Sequence, residues 1–341
     1  MKITTKELKP LLIDVIAQNL VPMVHGSPGI GKSDIVRAIA KQFNLFIVDV
    51  RLSQADPTDM SGFPALTADK TRSTYLPMET FPIEGDKVPE GYKGWLLFFD
   101  EFNSSPPSVQ AAAYKVILDK MIGMHKLHKK VRTICAGNLA TDKAIVNRLS
   151  TAMQSRLIHF ELEVNQPAWI KWATEAEIDY RIISFIGFKS SALQNFDPNH
   201  TDHTFACGRT WEFASKLIKK YDVIPGEKIP LLAGTLGEAA GREFYTYSQI
   251  FPDLLKISDI MKDPEGIPVP NEPSVRFALA GTIGNQLSPD NASKLMPFVA
   301  RLDAEFMILT LQGMHKKHPE LYNIPSVKQW MAKHAEDFYG D

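Results

Sequence analysis

One eight-residue stretch, Gly26-Ser27-Pro28-Gly29-Ile30-Gly31-Lys32-Ser33, constrains this chain more than any other. Gly26 and Gly31 flank four residues, and Lys32 and Ser33 follow. A phosphate chain wrapped by main-chain N–H groups needs a backbone that comes very close, which glycine allows. Lys32 is then placed to reach the β and γ phosphates, and the Ser33 hydroxyl to ligate Mg²⁺. The flanks fit this reading. Leu20 to Val24 reads as a short buried strand. Ser33 to Phe43 reads as an amphipathic helix with Ile35, Ile39 and Phe43 on one face. Strand, loop and helix place the anion at a helix N-terminus. The cofactor-binding set is Gly26, Ser27, Pro28, Gly29, Ile30, Gly31, Lys32, Ser33 and Asp34.

The second chemical signal lies downstream. Trp95 to Phe99 is a continuous apolar run, as expected of a central parallel strand covered on both faces. It ends in Asp100-Glu101. In an open α/β sheet the ligand lies beyond the carboxyl ends of the strands, so these acids are well placed. Asp100 is assigned to the metal with Ser33, and Glu101 to orienting and deprotonating the attacking water. Val131 to Ala136 reads as another buried strand and ends in Gly137-Asn138; one strand over from Asp100, the Asn138 amide either senses the γ phosphate and positions water or is simply an Asn in a turn.

The remaining elements follow from periodicity. Thr5 to Gln18, Ser108 to Met121 and Asp142 to Arg156 read as helices, Leu45 to Leu52 and Leu157 to Leu162 as strands. Ala65 to Gly94 is polar and proline-rich and reads as a surface insertion rather than core. Gly123 to Lys130 reads as a short basic hairpin. Beyond Pro167 the strands stop. Trp169 to Glu175 and Asp179 to Phe188 read as helices, and Thr210 as the N-cap of another that follows Arg209.

Composition narrows the setting. With 341 residues there is room for two or three domains and a sizeable core. A net charge of −1 supplies no global field for nucleic acid or an anionic membrane. Two cysteines, Cys135 and Cys207, form no metal pattern and suit a reducing compartment. Lys9, Pro10 and Asp14 interrupt any signal-like apolar core, and no run approaches membrane-spanning length. A cytoplasmic location without membrane contact is expected.

The order of these elements resembles the AAA+ ATPases. Arg51 to Asp59, and Ala136-Gly137-Asn138 followed by Leu149 to Phe160, are similar to the MoxR-like branch. The resemblance implies ATP and Mg²⁺ as ligands. It makes Gly26 to Ser33 the Walker A loop, Leu96 to Glu101 Walker B and Asn138 the sensor-1 residue. Arg156 matches the arginine finger, with Arg148 as second choice, and Arg209 matches the sensor-2 arginine. The usual proline before that arginine is replaced by Cys207-Gly208. The implied architecture is a phosphate-loop parallel sheet flanked by helices over residues 1–164. An all-α lid over 165–250 and a helical extension over 251–341 follow. The resemblance also implies a homo-oligomeric ring, usually a hexamer, that remodels a client or adaptor protein, often one bearing a von Willebrand factor A domain. The insertion and the basic hairpin resemble elements that face the pore or a rim of such rings. Phe63 there is either a pore contact or packs its own loop. Lys126, Lys129, Lys130 and Arg132 keep a nucleic-acid motor or loader as the alternative, disfavoured by the near-neutral charge. A small-molecule kinase would use the same loop without needing Glu101, Asn138 or Arg209.

Overall fold

The computed structural model describes residues 1–142, 146–197, 199 and 202–333. The chain divides into two compact units, Met1–Val164 and Asn165–Asp341.

The first unit is an α/β layer structure. Its strands are β1 (Lys2–Ile3), β2 (Val21–His25), β3 (Leu45–Arg51), β4 (Phe63–Leu66), β5 (Ser73–Leu76), β6 (Gly94–Asp100), β7 (Met121–Ile122), β8 (His125–Lys126), β9 (Val131–Gly137) and β10 (Leu157–Leu162). Six of them form one parallel sheet in the order β1-β10-β2-β9-β6-β3. The helices are α1 (Thr5–Ala17), α2 (Lys32–Gln42), α3 (Pro57–Ser61), α4 (Pro107–Asp119) and α5 (Thr151–Gln154).

The continuous apolar runs form strands because both faces of the sheet are covered. Along β6, Leu96 and Phe98 point to one side and join Leu8, Leu12, Val36 and Ile39 of α1 and α2. Leu97 and Phe99 point to the other and join Val109, Ala113 and Val116 of α4. This period-two division is what a pleated strand imposes. The start of α1 is fixed by a capping box: the Thr4 N–H donates to Glu7 Oε2 at 2.7 Å, and the Glu7 N–H to the Thr4 hydroxyl at 3.4 Å.

The topology builds the site. β9 lies between β2 and β6, and Cys135 is level with Met23 on one side and Phe99 on the other. The segments that leave β2, β9 and β6 therefore emerge side by side at one edge.

Three readings of the sequence are corrected. The helix expected over 142–156 is reduced to α5, which Ser150 caps by accepting from the Met153 N–H at 3.2 Å. Upstream, Asn147 donates its backbone N–H to the Asn103 carbonyl, a bond that an intrahelical pattern would preclude, and its side-chain amide to the Ser105 carbonyl. Residues 143–145 lie outside the described residues. The insertion is not surface throughout. Phe81 is 4% exposed in the core beneath α4, and Ile83 bridges to Leu127. Its outer part is the antiparallel β4–β5 hairpin, where Phe63 is 54% exposed.

The second unit contains α6 (Gln166–Glu175), α7 (Tyr180–Phe188), α8 (Gly208–Ile218), α9 (Ile229–Leu236), α10 (Glu238–Ser248), α11 (Ile257–Ile260), α12 (Pro273–Gln286), α13 (Ala292–Val299), α14 (Ala304–Lys317) and α15 (Pro325–Lys333). One core runs through it from Ile170 to Val327, centred on Phe185, Trp211, Phe244 and Phe298. Asp179 caps α7 and forms a buried ion pair with Arg181 at 2.8 Å. The third correction is at α8. It starts at Gly208, so Thr210 is not its N-cap but its third residue, and the hydroxyl accepts from the Cys207 N–H at 2.8 Å. Among the described residues no helix is long and apolar enough to cross a membrane.

Candidate active site

The phosphate loop joins β2 to α2. Gly29 has φ +75° and Gly31 φ +97°, the left-handed region that L side chains avoid. A Cβ on Gly26 would lie 3.2 Å from Ile30 Cγ2 and 3.4 Å from the Leu162 carbonyl oxygen. The loop is fastened at its first two residues. The Gly26 N–H donates to the Gly137 carbonyl at 3.2 Å, and the Ser27 hydroxyl to Asp142 Oδ1 at 3.2 Å. No side chain caps the start of α2, which leaves the positive end of the helix dipole for an anion. Lys32 is only 9% exposed. Its ammonium donates to the carbonyls of Gly26 and Ser27 and, at 3.3 Å, to Asn138 Oδ1.

β6 delivers the acids. The Ser33 hydroxyl donates to Asp100 Oδ2 at 3.0 Å. Both are hard oxygen donors, and neighbouring ligands on an octahedral Mg²⁺ stand about 3 Å apart, so this pair fits that ion. The other carboxylate oxygen, Oδ1, accepts from the Glu101 N–H at 2.8 Å. Glu101 itself is left-handed at φ +54°. That turn throws its side chain away from the strand axis, where Oε2 accepts a hydrogen bond from Ser53. Ser53 stands in the short turn Leu52–Gln54 that ends β3, and Arg51 pairs with Asp100 across the sheet.

β9 delivers Asn138. The side-chain amide of Asn103 brackets its backbone, donating to the Asn138 carbonyl at 2.8 Å and accepting from its N–H at 3.0 Å. A Cβ at position 137 would collide with Asn103 Oδ1, which explains the glycine before Asn138. The structure thus brings Lys32, Ser33, Asp100, Glu101 and Asn138 to the carboxyl ends of three adjacent strands.

Residues 22–161 match the family described as "ATPase family associated with various cellular activities (AAA)". That stretch lies within the first unit, which matches an AAA ATPase domain over most of its length. Among solved structures the chain is similar to a point mutant of Thermotoga maritima RuvB, at 17% identity and a TM-score of 0.41, over 88% of each chain. The Thermotoga maritima RuvB Holliday junction branch migration motor matches at 15% identity and a TM-score of 0.36, over 87% of this chain and 86% of that one. An ATPase candidate from Cytophaga hutchinsonii matches at 15% identity and a TM-score of 0.35, over 96% of this chain and 87% of that one. No curated protein sequence matches the chain.

The two arginines of the AAA domain behave differently. Arg148 is exposed and lines a cavity of about 420 Å³ together with His25, Asn138, Asn147 and His159 of the same domain. Arg156, directly after α5, is also exposed, but it is tethered. It donates from Nη1 to the Ala152 carbonyl at 2.8 Å and to the Ser155 hydroxyl at 3.2 Å. In the second unit, Arg209 is exposed in the first turn of α8, where a cation opposes the helix dipole.

Several participants were not legible from the sequence. Asn103 and Asp142 carry no motif of their own, and Ser53, inside the Arg51 to Asp59 stretch, has no role assigned by its spacing. His25 and His159 stack at 5.3 Å with Nε2 of His25 3.0 Å from Nδ1 of His159. His159 Nε2 faces the Gln154 carbonyl at 2.9 Å, which assigns the proton there and makes His25 the donor between the rings. Burial, followed by the neighbouring His159, pushes His25 down to about 4.

Proposed function

We propose that this chain is an AAA+ ATPase of the MoxR-like kind that hydrolyses ATP at the interfaces of a homo-oligomeric ring, expected to be a hexamer, to remodel or activate a partner protein. The contact between Ser33 and Asp100 carries this reading. It joins the helix that follows the phosphate loop to the strand that ends in Asp-Glu, at a spacing that suits two ligands of one Mg²⁺. When bound, that ion offsets the negative charge of the phosphates.

The chain's own groups divide the remaining work. The loop's amides and Lys32 hold the β and γ phosphates. Asn138, whose Oδ1 accepts from the lysine ammonium at 3.3 Å, offers its Nδ2–H to the terminal phosphate and its Oδ1 to the attacking water. Glu101 takes the proton from that water as its oxygen attacks the γ phosphorus and the bond to the bridging oxygen breaks. Arg156 of a neighbouring copy balances the charge that develops on the transferred group. Arg209, placed against its helix dipole, serves as the lid's anion sensor in the second unit. Residues 165–250 form that lid and 251–341 its extension. The partner is a client or adaptor protein, with a von Willebrand factor A domain as the first candidate.

The decisive variant is Glu101→Gln. It should bind ATP, assemble and fail to turn over, and a protein that co-purifies with that form is the candidate client. Failure of a non-hydrolysable ATP analogue to bind the wild-type chain would sink the reading. The nucleic-acid alternative draws on the exposed Lys126, Lys129 and Lys130 at the β7–β8 hairpin. Stimulation of turnover by DNA, falling steeply with salt, would favour it.

A further inference from the structure

The guanidinium of Arg156 lies over the ring of Tyr114 on α4, with Cζ 5.5 Å from the ring centre. Tyr114 is half-buried and packs against the core beneath α4. Nη1 is occupied by the Ala152 carbonyl and the Ser155 hydroxyl. Among the described residues, Nε and Nη2 have no hydrogen-bond partner. One edge and one face of the guanidinium are thus fastened and the other edge is left open to solvent.

A purely structural arginine in the same chain looks different. Arg181 spends Nε and Nη2 on Asp179 and further donors on the Asp222 and Ile218 carbonyls, with its side chain 3% exposed. Arg148 is the opposite case, exposed and with no hydrogen bond from its guanidinium among the described residues. A planar fork that is already oriented loses less freedom when it meets an anion. A cation held over an aromatic face gains that orientation without consuming its N–H donors.

We propose that Tyr114 is a positioning residue, whose ring holds Arg156 in the orientation used on the nucleotide of the adjacent copy. The proposal rests on the reading of Arg156 as acting in trans. It also selects Arg156 over Arg148, because only Arg156 is preorganised.

The test uses the full-length chain with Tyr114→Leu, Tyr114→Phe and Arg156→Ala. Tyr114→Leu should lower kcat about two- to fivefold, the size expected for losing one exposed cation–π contact. Affinity for a fluorescent ATP analogue should be unchanged. Tyr114→Phe keeps the ring and should restore kcat. In the Arg156→Ala background, Tyr114→Leu should cause no additional loss. Mixing Tyr114→Leu subunits with Lys32→Ala subunits, which have a disabled cradle but an intact Arg156, should give more turnover than the sum of the two alone. A misfolded cradle in Tyr114→Leu could not be rescued in this way, and Tyr114→Phe reads the ring without the risk to folding. Normal turnover in Tyr114→Leu with Arg156→Ala inactive overturns the role of Tyr114 and leaves the trans reading intact. Normal turnover in Arg156→Ala overturns both.

Discussion

Ser53, at the end of β3, donates its hydroxyl hydrogen bond to Oε2 of Glu101, at the end of β6. The bond spans two adjacent strands whose register is fixed by the pairing of Arg51 with Asp100. It restrains the carboxylate assigned to activate water. On the proposed mechanism Glu101 must leave this bond to reach the water, so Ser53→Ala should raise basal ATPase turnover about two- to fivefold, a barrier change of under 1 kcal/mol. ATP affinity should not change. Steady-state kinetics on the purified variant check this, and a slower variant would mean that the bond aims Glu101 instead of restraining it.

Gly31 has φ +97° and open space where a side chain would stand, so conformation rather than crowding selects the glycine. Alanine there must enter a left-handed geometry at a cost of roughly 1–2 kcal/mol. Gly31→Ala should lower the urea midpoint of the AAA domain and weaken nucleotide binding, since the loop relaxes away from the cradle shape. Fluorescence titration with an ATP analogue and urea unfolding of the same sample separate the two effects.

His25 gives the fold a pH dependence. Its folded value of about 4 lies below the ordinary 6.5, because burial and His159 disfavour the charged ring. The neutral ring is therefore favoured by folding. The contribution is fully present above pH 6.5 and is lost as the pH falls from there through 4. Allowing for solvent screening at a partly exposed site, the loss should reach up to about 2 kcal/mol. Urea midpoints measured from pH 7 down to pH 4.5 should decline, and His25→Gln should flatten that decline. An unchanged slope in the variant would assign the acid sensitivity to other groups.

The Asp179–Arg181 pair is a stability element of the second unit, with side chains 4% and 3% exposed. Replacing Asp179 by Asn leaves a buried guanidinium without its counter-charge, which typically costs about 3–5 kcal/mol. The second unit should melt first in Asp179→Asn, while the AAA domain keeps its nucleotide affinity. Calorimetry with and without an ATP analogue distinguishes the two transitions.

The sheet was readable because its central strands are covered on both faces. Trp95 to Phe99 is a short, continuously apolar run, and Val131 to Ala136 is rich in the β-branched residues Val131, Thr133 and Ile134. The phosphate loop was readable because Gly29 and Gly31 are demanded by local backbone geometry and Lys32 follows them directly. Long-range contacts were not. The segment before α5 follows Asn103 and Ser105, residues some forty positions upstream, and no local periodicity reports such bonds. Phe81 is buried by Leu127 and its neighbours, so its proline-rich surroundings misrepresented it. At α8, the Cys207 N–H finds the Thr210 hydroxyl, and the helix starts earlier than the preference of threonine for N-caps suggests.

Asn103 shows how such a long-range contact governs the chemistry. Its amide both donates to and accepts from the backbone of Asn138, and it sits where only Gly137 leaves room. Asn103→Ala removes both bonds and leaves two backbone groups of Asn138 without partners, at a cost of about 1–3 kcal/mol. Asn138 then loses its fixed distance from Lys32, and kcat should fall at least tenfold, with ATP affinity falling far less. Asn103→Asp is the sharper control. Its carboxylate still accepts from the Asn138 N–H but cannot donate to the carbonyl, so its turnover should lie between wild type and Asn103→Ala. If Asn103→Ala instead lost ATP binding in proportion to turnover, Asn103 would be supporting the cradle as a whole rather than the aim of Asn138.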